Sequence, residues 1–230
     1  MPSLVNAYSI NSGFDSSALT TSAFTPTVGD VIVVKFANEN PGTTPSAPTD
    51  TQGNTYTLWG VDASASHCRV NLWAAVAASA TSMTVTANNA GTNYHSATIE
   101  QWTSAALDAS PAVNATETGT GAPSATLTTT QPLSVVSWLC ADYAANNPTG
   151  HVYSTVSAVP TQDGLHDVSG TGNYVAYYAW QNAASAGSQT FGLTSPTGQT
   201  WSMLGIEILN VAGGGTPPDQ DQAQPLIVWQ

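Results

Sequence analysis

The chain has 230 residues and sets Lys35 and Arg69, its two basic side chains, against fourteen carboxylates, for a net charge of −12. Only 7% of residues are charged, where ordinary domains carry roughly 25%. Two cations cannot neutralise a run of phosphates, which excludes nucleic acid as a partner and an anionic membrane surface with it.

From the start, Met1-Pro2-Ser3 shows no basic segment followed by an apolar run, so the expectation is no secretory signal and synthesis in the host cytoplasm. No run approaches the ~18 apolar residues of a membrane span. Period-2 patterns then dominate. Asp30–Ala37 (DVIVVKFA) reads as a buried strand, Cys68–Val76 as a strand with Cys68, Val70 and Leu72 on one face, and Ser82–Ala87 as a strand with Met83 and Val85 inward. His95–Trp102 follows, then runs from Leu133, His151, Tyr174, Gln189 and Thr200. Turn clusters separate them, among them Asn40-Pro41-Gly42, Gln52-Gly53-Asn54, Asn147-Pro148-Thr149-Gly150 and Pro196-Thr197-Gly198. Asn71–Thr81 is rich in alanine and competes for helix, but its alternating flanks favour a strand followed by a loop.

The two halves repeat weakly, over about 28–103 and 125–209. The expected fold is all-β, a jelly-roll-like antiparallel sandwich over 1–211 built from two similar strand sets. One sandwich is preferred to two in tandem, with strands of one set completing the sheets of the other. Residues 212–230 read differently: Gly213-Gly214-Gly215 and Pro217-Pro218 form a linker, and Pro225, Leu226, Ile227, Val228 and Trp229 form an apolar, strand-prone assembly segment in an extended tail.

Several phrases occur in a fixed order. Gly29-Asp30 precedes the aliphatic strand Val31–Val34; the turn Asp50-Thr51-Gln52-Gly53-Asn54-Thr55-Tyr56 follows; then come Leu72–Ala78, Ile99-Glu100-Gln101-Trp102 and Asp108-Ala109-Ser110. In this the chain resembles the Ala/Thr/Ser-rich β domains of bacteriophage virion proteins and bacterial exported adhesive proteins. The resemblance spans roughly Val28 to Leu209, with Gln131-Pro132 where a second "GD" would stand. It implies a jelly-roll-like sandwich in a virion-surface, adhesive or carbohydrate-contacting role.

Catalytic signals are sparse. His67, His95, His151 and His166 form no close pair at metal-ligand spacing, and His166-Asp167 reads as a solvated pair in the loop QDGLHDVSGTG. Asp219-Gln220-Asp221 lacks the glycine and glutamate of a calcium loop. Glu100 and Glu207 occupy matching places in otherwise apolar strands, and read as solvent-facing or hydrogen-bonded strand residues. Cys68 and Cys140 read as buried free thiols, with a disulfide as the alternative. Trp59, Trp73, Trp102, Trp138, Trp180 and Trp201, with Tyr174, Tyr177 and Tyr178, read as core, or for a few of them as a sugar-stacking platform. The expectation is therefore a non-enzymatic structural protein of a virion surface (a capsid decoration, head or tail component) without cofactor or metal. Its expected partners are other virion proteins and further copies of itself. The alternative is an extracellular module that binds neutral glycans.

Overall fold

The computed structural model describes residues 1–63, 68–107, 114–143, 150–168 and 174–211. Its named elements are all β-strands, and among the described residues no helix is long and apolar enough to cross a membrane. The first half contributes β1 (Ser3–Asn11), β2 (Leu19–Thr20), β3 (Val31–Asn38), β4 (Thr49–Asp50), β5 (Thr57–Ala63), β6 (Arg69–Val76), β7 (Val85–Ala87) and β8 (His95–Thr103). After β9 (Ala105–Ala106), the second half contributes β10 (Asn114–Gly121), β11 (Ser124–Thr129), β12 (Ser134–Tyr143), β13 (Val152–Tyr153), β14 (Thr161–Asp167), β15 (Tyr174–Ala183), β16 (Gly187–Ser195) and β17 (Gln199–Asn210).

The first half forms a large sheet in the order β1-β8-β3-β6-β5 and a small one in the order β2-β7-β4. The second half forms β10-β17-β12-β15-β14 and β11-β16-β13. Adding nine to each strand number of the first set reproduces the second. Eight antiparallel strands interleaved in this way make a jelly roll, and the chain builds it twice. The expectation that strands of one set complete the sheets of the other is overturned. Each set closes its own two sheets, and among the described residues only the connecting strand β9 joins a sheet across the boundary, pairing with β17.

The four sheets enclose three cores. Ile32, Val34, Phe36, Trp73, Met83 and Ile99 lie between the two sheets of the first half. Val136, Trp138, Tyr177, Phe191 and Met203 do the same in the second. The central core joins the large sheets face to face, with Val31, Val33, Leu72 and Trp102 against Val135, Leu139, Tyr178, Leu204 and Ile206. β3 and β12 are therefore covered on both faces, which explains why they read as continuous apolar runs. β11, with one face in water, keeps a strict alternation of exposed and buried residues.

Asn71–Thr81 is strand and then loop, as its flanks indicate. The run from His151 contracts to the two residues of β13. Gln162–Asp167 (QDGLHD) is not a loop but most of β14. The polar sequence of β14 is paired along β15 by backbone hydrogen bonds, which do not depend on side-chain hydrophobicity.

Candidate functional site

Pairing registers align the two repeats residue by residue. Val31 faces Trp102 and Ile32 faces Gln101; in the second half Val135 faces Ile208 and Val136 faces Glu207. Glu207 thus corresponds to Gln101, and Glu100 corresponds to Ile206. The matching of Glu100 with Glu207 is out by one residue, and in a strand one residue exchanges the two faces. Neither is solvent-facing: Glu100 and Glu207 are both buried.

Glu207 points to the outer side and fastens a turn. It accepts hydrogen bonds from Thr130 N (2.7 Å), Thr130 Oγ1 (2.9 Å) and Gln131 N (3.1 Å). Gln101 does the mirror-image task, donating to Asp30 Oδ2 at 2.6 Å while Asp30 accepts from Thr27 N at 2.8 Å. The Gly29-Asp30 phrase and its Gln131-Pro132 counterpart are two solutions to one problem, anchoring the loop that enters the central strand.

Glu100 points to the central core, and there it meets Lys35. Lys35 Nζ donates to Glu100 Oε1 at 2.7 Å and to both carboxyl oxygens of Asp163, at 3.1 and 2.8 Å. The Lys35 and Glu100 side chains are fully buried and Asp163 is 3% exposed. The other oxygen of Glu100 is held by Ser137 Oγ (2.7 Å) and Trp102 Nε1 (3.0 Å). Lys35 also reaches the carbonyl of Ala179 at 3.4 Å and lies 6.0 Å from the Tyr178 ring centre. The Trp102 and Trp180 rings meet edge to face at 5.3 Å.

Asp163 arrives by a β-bulge. In β14, Gln162 pairs with Ala179 and Gly164 with Tyr178, so Asp163 is the extra residue. The first repeat has the same bulge: Leu58 pairs with Trp73 and Gly60 with Leu72, leaving Trp59. Both bulges aim their extra residue inward, and Trp59 is core. The sequence puts tryptophan there in one repeat and aspartate in the other. Gly164 suits the place beside it, because a Cβ would push against Thr98 Oγ1 and Ser9 Oγ of the opposite sheet and force them to shift.

Two carboxylates and one ammonium out of water cannot all be charged cheaply. Burial pushes the Lys35 amine down, but the charges of Asp163 and Glu100 outweigh it and hold the ammonium above its usual range. Burial pushes Glu100 up, and Lys35 with the surrounding hydrogen bonds brings it below its usual range. Asp163 stays well above the usual carboxylate range through burial, opposed by Lys35 and reinforced by the charge of Glu100. Of the two carboxyls, Asp163 is the one that binds a proton more readily, and Lys35 keeps its proton more firmly than a free lysine.

The other candidates have structural settings. Cys68 and Cys140 are both buried and form no disulfide. His95 ties a loop, with Nε2 at 2.8 Å from Ser17 O and Nδ1 at 2.7 Å from Ser12 Oγ. His166 is buried in β14 edge-on to Tyr174, not solvated, and burial pushes its imidazole down to about 4. Burial likewise pushes the Asp142 carboxyl up to about 7, against the pull of Tyr177 and Gln199. In the Asp50–Tyr56 phrase, the Asp50 carboxylate accepts from Gln52 N (2.8 Å), Asn54 N (3.2 Å), Asn54 Nδ2 (2.9 Å) and Tyr56 Oη (3.0 Å), with Gly53 at φ 77°. It is a folded turn.

Trp59, Trp73, Trp102, Trp138, Trp201, Tyr174, Tyr177 and Tyr178 are buried and Trp180 is half-buried, so these rings form no open sugar-stacking platform. Among the described residues no three His, Cys, Asp or Glu side chains form a metal-holding group. His67, Asp108-Ala109-Ser110, Asp219-Gln220-Asp221 and the segment Pro225–Trp229 lie outside the described residues.

Sequence reasoning missed Lys35 and Asp163 as a pair because they are 128 positions apart and on different repeats. A signal existed in Lys35 itself, a lysine in the middle of DVIVVKFA. Comparison with protein-family models, with curated proteins and with solved structures finds no match.

Proposed function

We propose that the chain is a non-enzymatic structural protein of a bacteriophage virion, a surface component of head or tail. The observation that supports this reading best is the doubled jelly roll with its interior fully committed: three cores take up nearly all the large aromatics, and the named polar clusters hold loops or join sheets. Such a body has a mildly acidic, hydrogen-bonding exterior, and it suits contact with other proteins more than turnover of a substrate. The order of phrases, which resembles that of virion β domains, supports it further. The glycan-binding reading depended on exposed aromatic faces, and the buried rings take away that support.

In this reading Pro225, Leu226, Ile227, Val228 and Trp229 join a neighbouring subunit by adding a strand to an exposed sheet edge. Burying several such side chains contributes roughly 1.5–3 kcal/mol each. The test is to purify particles that incorporate the chain and compare them with particles given a chain lacking residues 213–230. The full chain co-purifies in fixed proportion. The shortened chain keeps its melting temperature and is left out. Equal incorporation of the shortened chain would refute the role of the segment, and absence of the full chain from particles would refute the virion assignment.

A further inference from the structure

The buried cluster of Lys35, Glu100 and Asp163 has the geometry of a reaction and not only of an ion pair. We propose that Lys35 Nζ and Asp163 Cγ condense to an intramolecular amide, with Glu100 as the catalytic proton carrier, so that the two jelly rolls are covalently joined through their central core. This does not depend on the virion reading.

Three observations carry it. First, position: Lys35 Nζ bonds both Asp163 oxygens, at 3.1 and 2.8 Å, so it is held against the edge of that carboxyl and needs only to swing over its face to meet the carbon. That puts nitrogen and carbon roughly 3.3 Å apart, a separation from which fixed neighbours react as if at high concentration once the approach is aligned. Second, division of labour: Ser137 and Trp102 fix one Glu100 oxygen, which leaves Oε1 against Nζ at 2.7 Å to take and return a proton. Third, the fold does not call for charge here. In the second repeat the positions of Lys35 and Glu100 hold Leu139 and Ile206, and in the first the position of Asp163 holds Trp59. Each of the three places holds an apolar residue in one of the two jelly rolls, and buried ion pairs seldom out-stabilise such residues.

The step balances within the cluster. Lys35 gives one proton to Glu100 and becomes a neutral amine. Its lone pair forms the N–C bond to the protonated Asp163 carboxyl. The amine then loses a second proton, passed through Glu100 to the carboxyl hydroxyl, and the C–O bond breaks to release water. The products are a neutral amide, one water and protonated Glu100, with no change in oxidation state. Trp102, Trp180 and Tyr178 pack around the site, and a site closed to water resists hydrolysis of the product.

Intact mass spectrometry of the denatured chain tests it. The expected mass is below the sequence mass by one water, and proteolysis yields a branched peptide joining Lys35 to Asp163. Lys35→Arg restores the full mass. Glu100→Gln, with folding checked by near-UV circular dichroism, slows or abolishes the loss. Asp163→Asn tests the same attack with a different leaving group, and the loss becomes one ammonia. A parent chain at full mass after prolonged incubation at neutral pH overturns the proposal. Because Asp163 precedes Gly164, a succinimide would lose the same water; a loss that persists in Lys35→Arg is that product and also overturns it. Unchanged cross-linking in Glu100→Gln overturns the role of Glu100.

Discussion

Lys35 is a lysine that the fold has placed where its twin position holds leucine, and in a chain that has not formed the amide its charge has a measurable consequence. Lys35→Leu leaves Glu100 and Asp163 facing one another without a cation, which should cost on the order of 3–5 kcal/mol in urea denaturation. Adding Glu100→Ile, the residue of the second repeat, should recover most of that loss; no recovery would mean that packing and not charge is at fault. Two other buried groups set opposite pH slopes. Asp142 has its pKa raised from 3.8 to about 7, so the folded chain holds the extra proton and stability falls as pH rises from about 4 to 7. His166 has its pKa lowered from 6.5 to about 4, so the folded chain holds fewer protons and stability rises from pH 4 to 6.5. The two largely offset in the parent. Relative to it, Asp142→Asn should gain stability with rising pH, by on the order of 4 kcal/mol between pH 4 and 7. His166→Gln should lose relative stability over pH 4 to 6.5. Urea midpoints at several pH values would show parallel curves if this assignment is wrong.

At the scale of the element, the bulge in β14 decides what the site contains. A regular strand would alternate faces and send Asp163 away from Lys35; the extra residue lets both Asp163 and the following close approach of Gly164 face the first jelly roll. Gly164→Ala puts a methyl group against Thr98 and Ser9, backed by the Tyr178 ring. The expected cost is about 1–3 kcal/mol for overpacking, with a fall in Lys35–Asp163 cross-linking because β14 is displaced outward. A Gly164→Ala chain with parental melting temperature would show that β14 packs more loosely than these contacts indicate. The Asp50 turn contrasts with this: its four donors are local, between residues 50 and 56, and it serves only the crossing between β4 and β5.

For the whole molecule, the central core makes each jelly roll the solvent shield of the other. Residues 1–107 alone would expose the face of Val31, Val33, Leu72 and Trp102 together with the charged pair Lys35 and Glu100. An apolar face of that kind is not stable in water. The fragment should bind hydrophobic dyes and lack a cooperative melt, whereas the full chain unfolds in one transition. A soluble, monomeric, cooperatively melting fragment would show that the halves are independent domains. In the intact chain an amide between residues 128 positions apart would remove loop-closure entropy from the unfolded state, worth about 4–5 kcal/mol by analogy with a disulfide closing a long loop.

The sequence by itself determined the class of fold, because alternation, turn residues and the scarcity of charge act locally and leave little but strands. It also carried the duplication, through similar phrases at similar spacing, and the strand character of Asn71–Val76 despite its alanines. It did not carry the strands Ser3–Asn11, Thr57–Ala63, Asn114–Gly121, Ser124–Thr129 and Thr161–Asp167, whose polar or mixed sequences are held by pairing to a neighbour and not by their own burial. Nor did it carry the face of Glu100, since a register error of one residue is invisible along a chain and reverses inside and outside. Which half covers which, and the meeting of Lys35 with Asp163, were decided only by tertiary structure: a contact between distant strands depends on how two sheets are stacked, and nothing in the local chemistry of either segment encodes that distance.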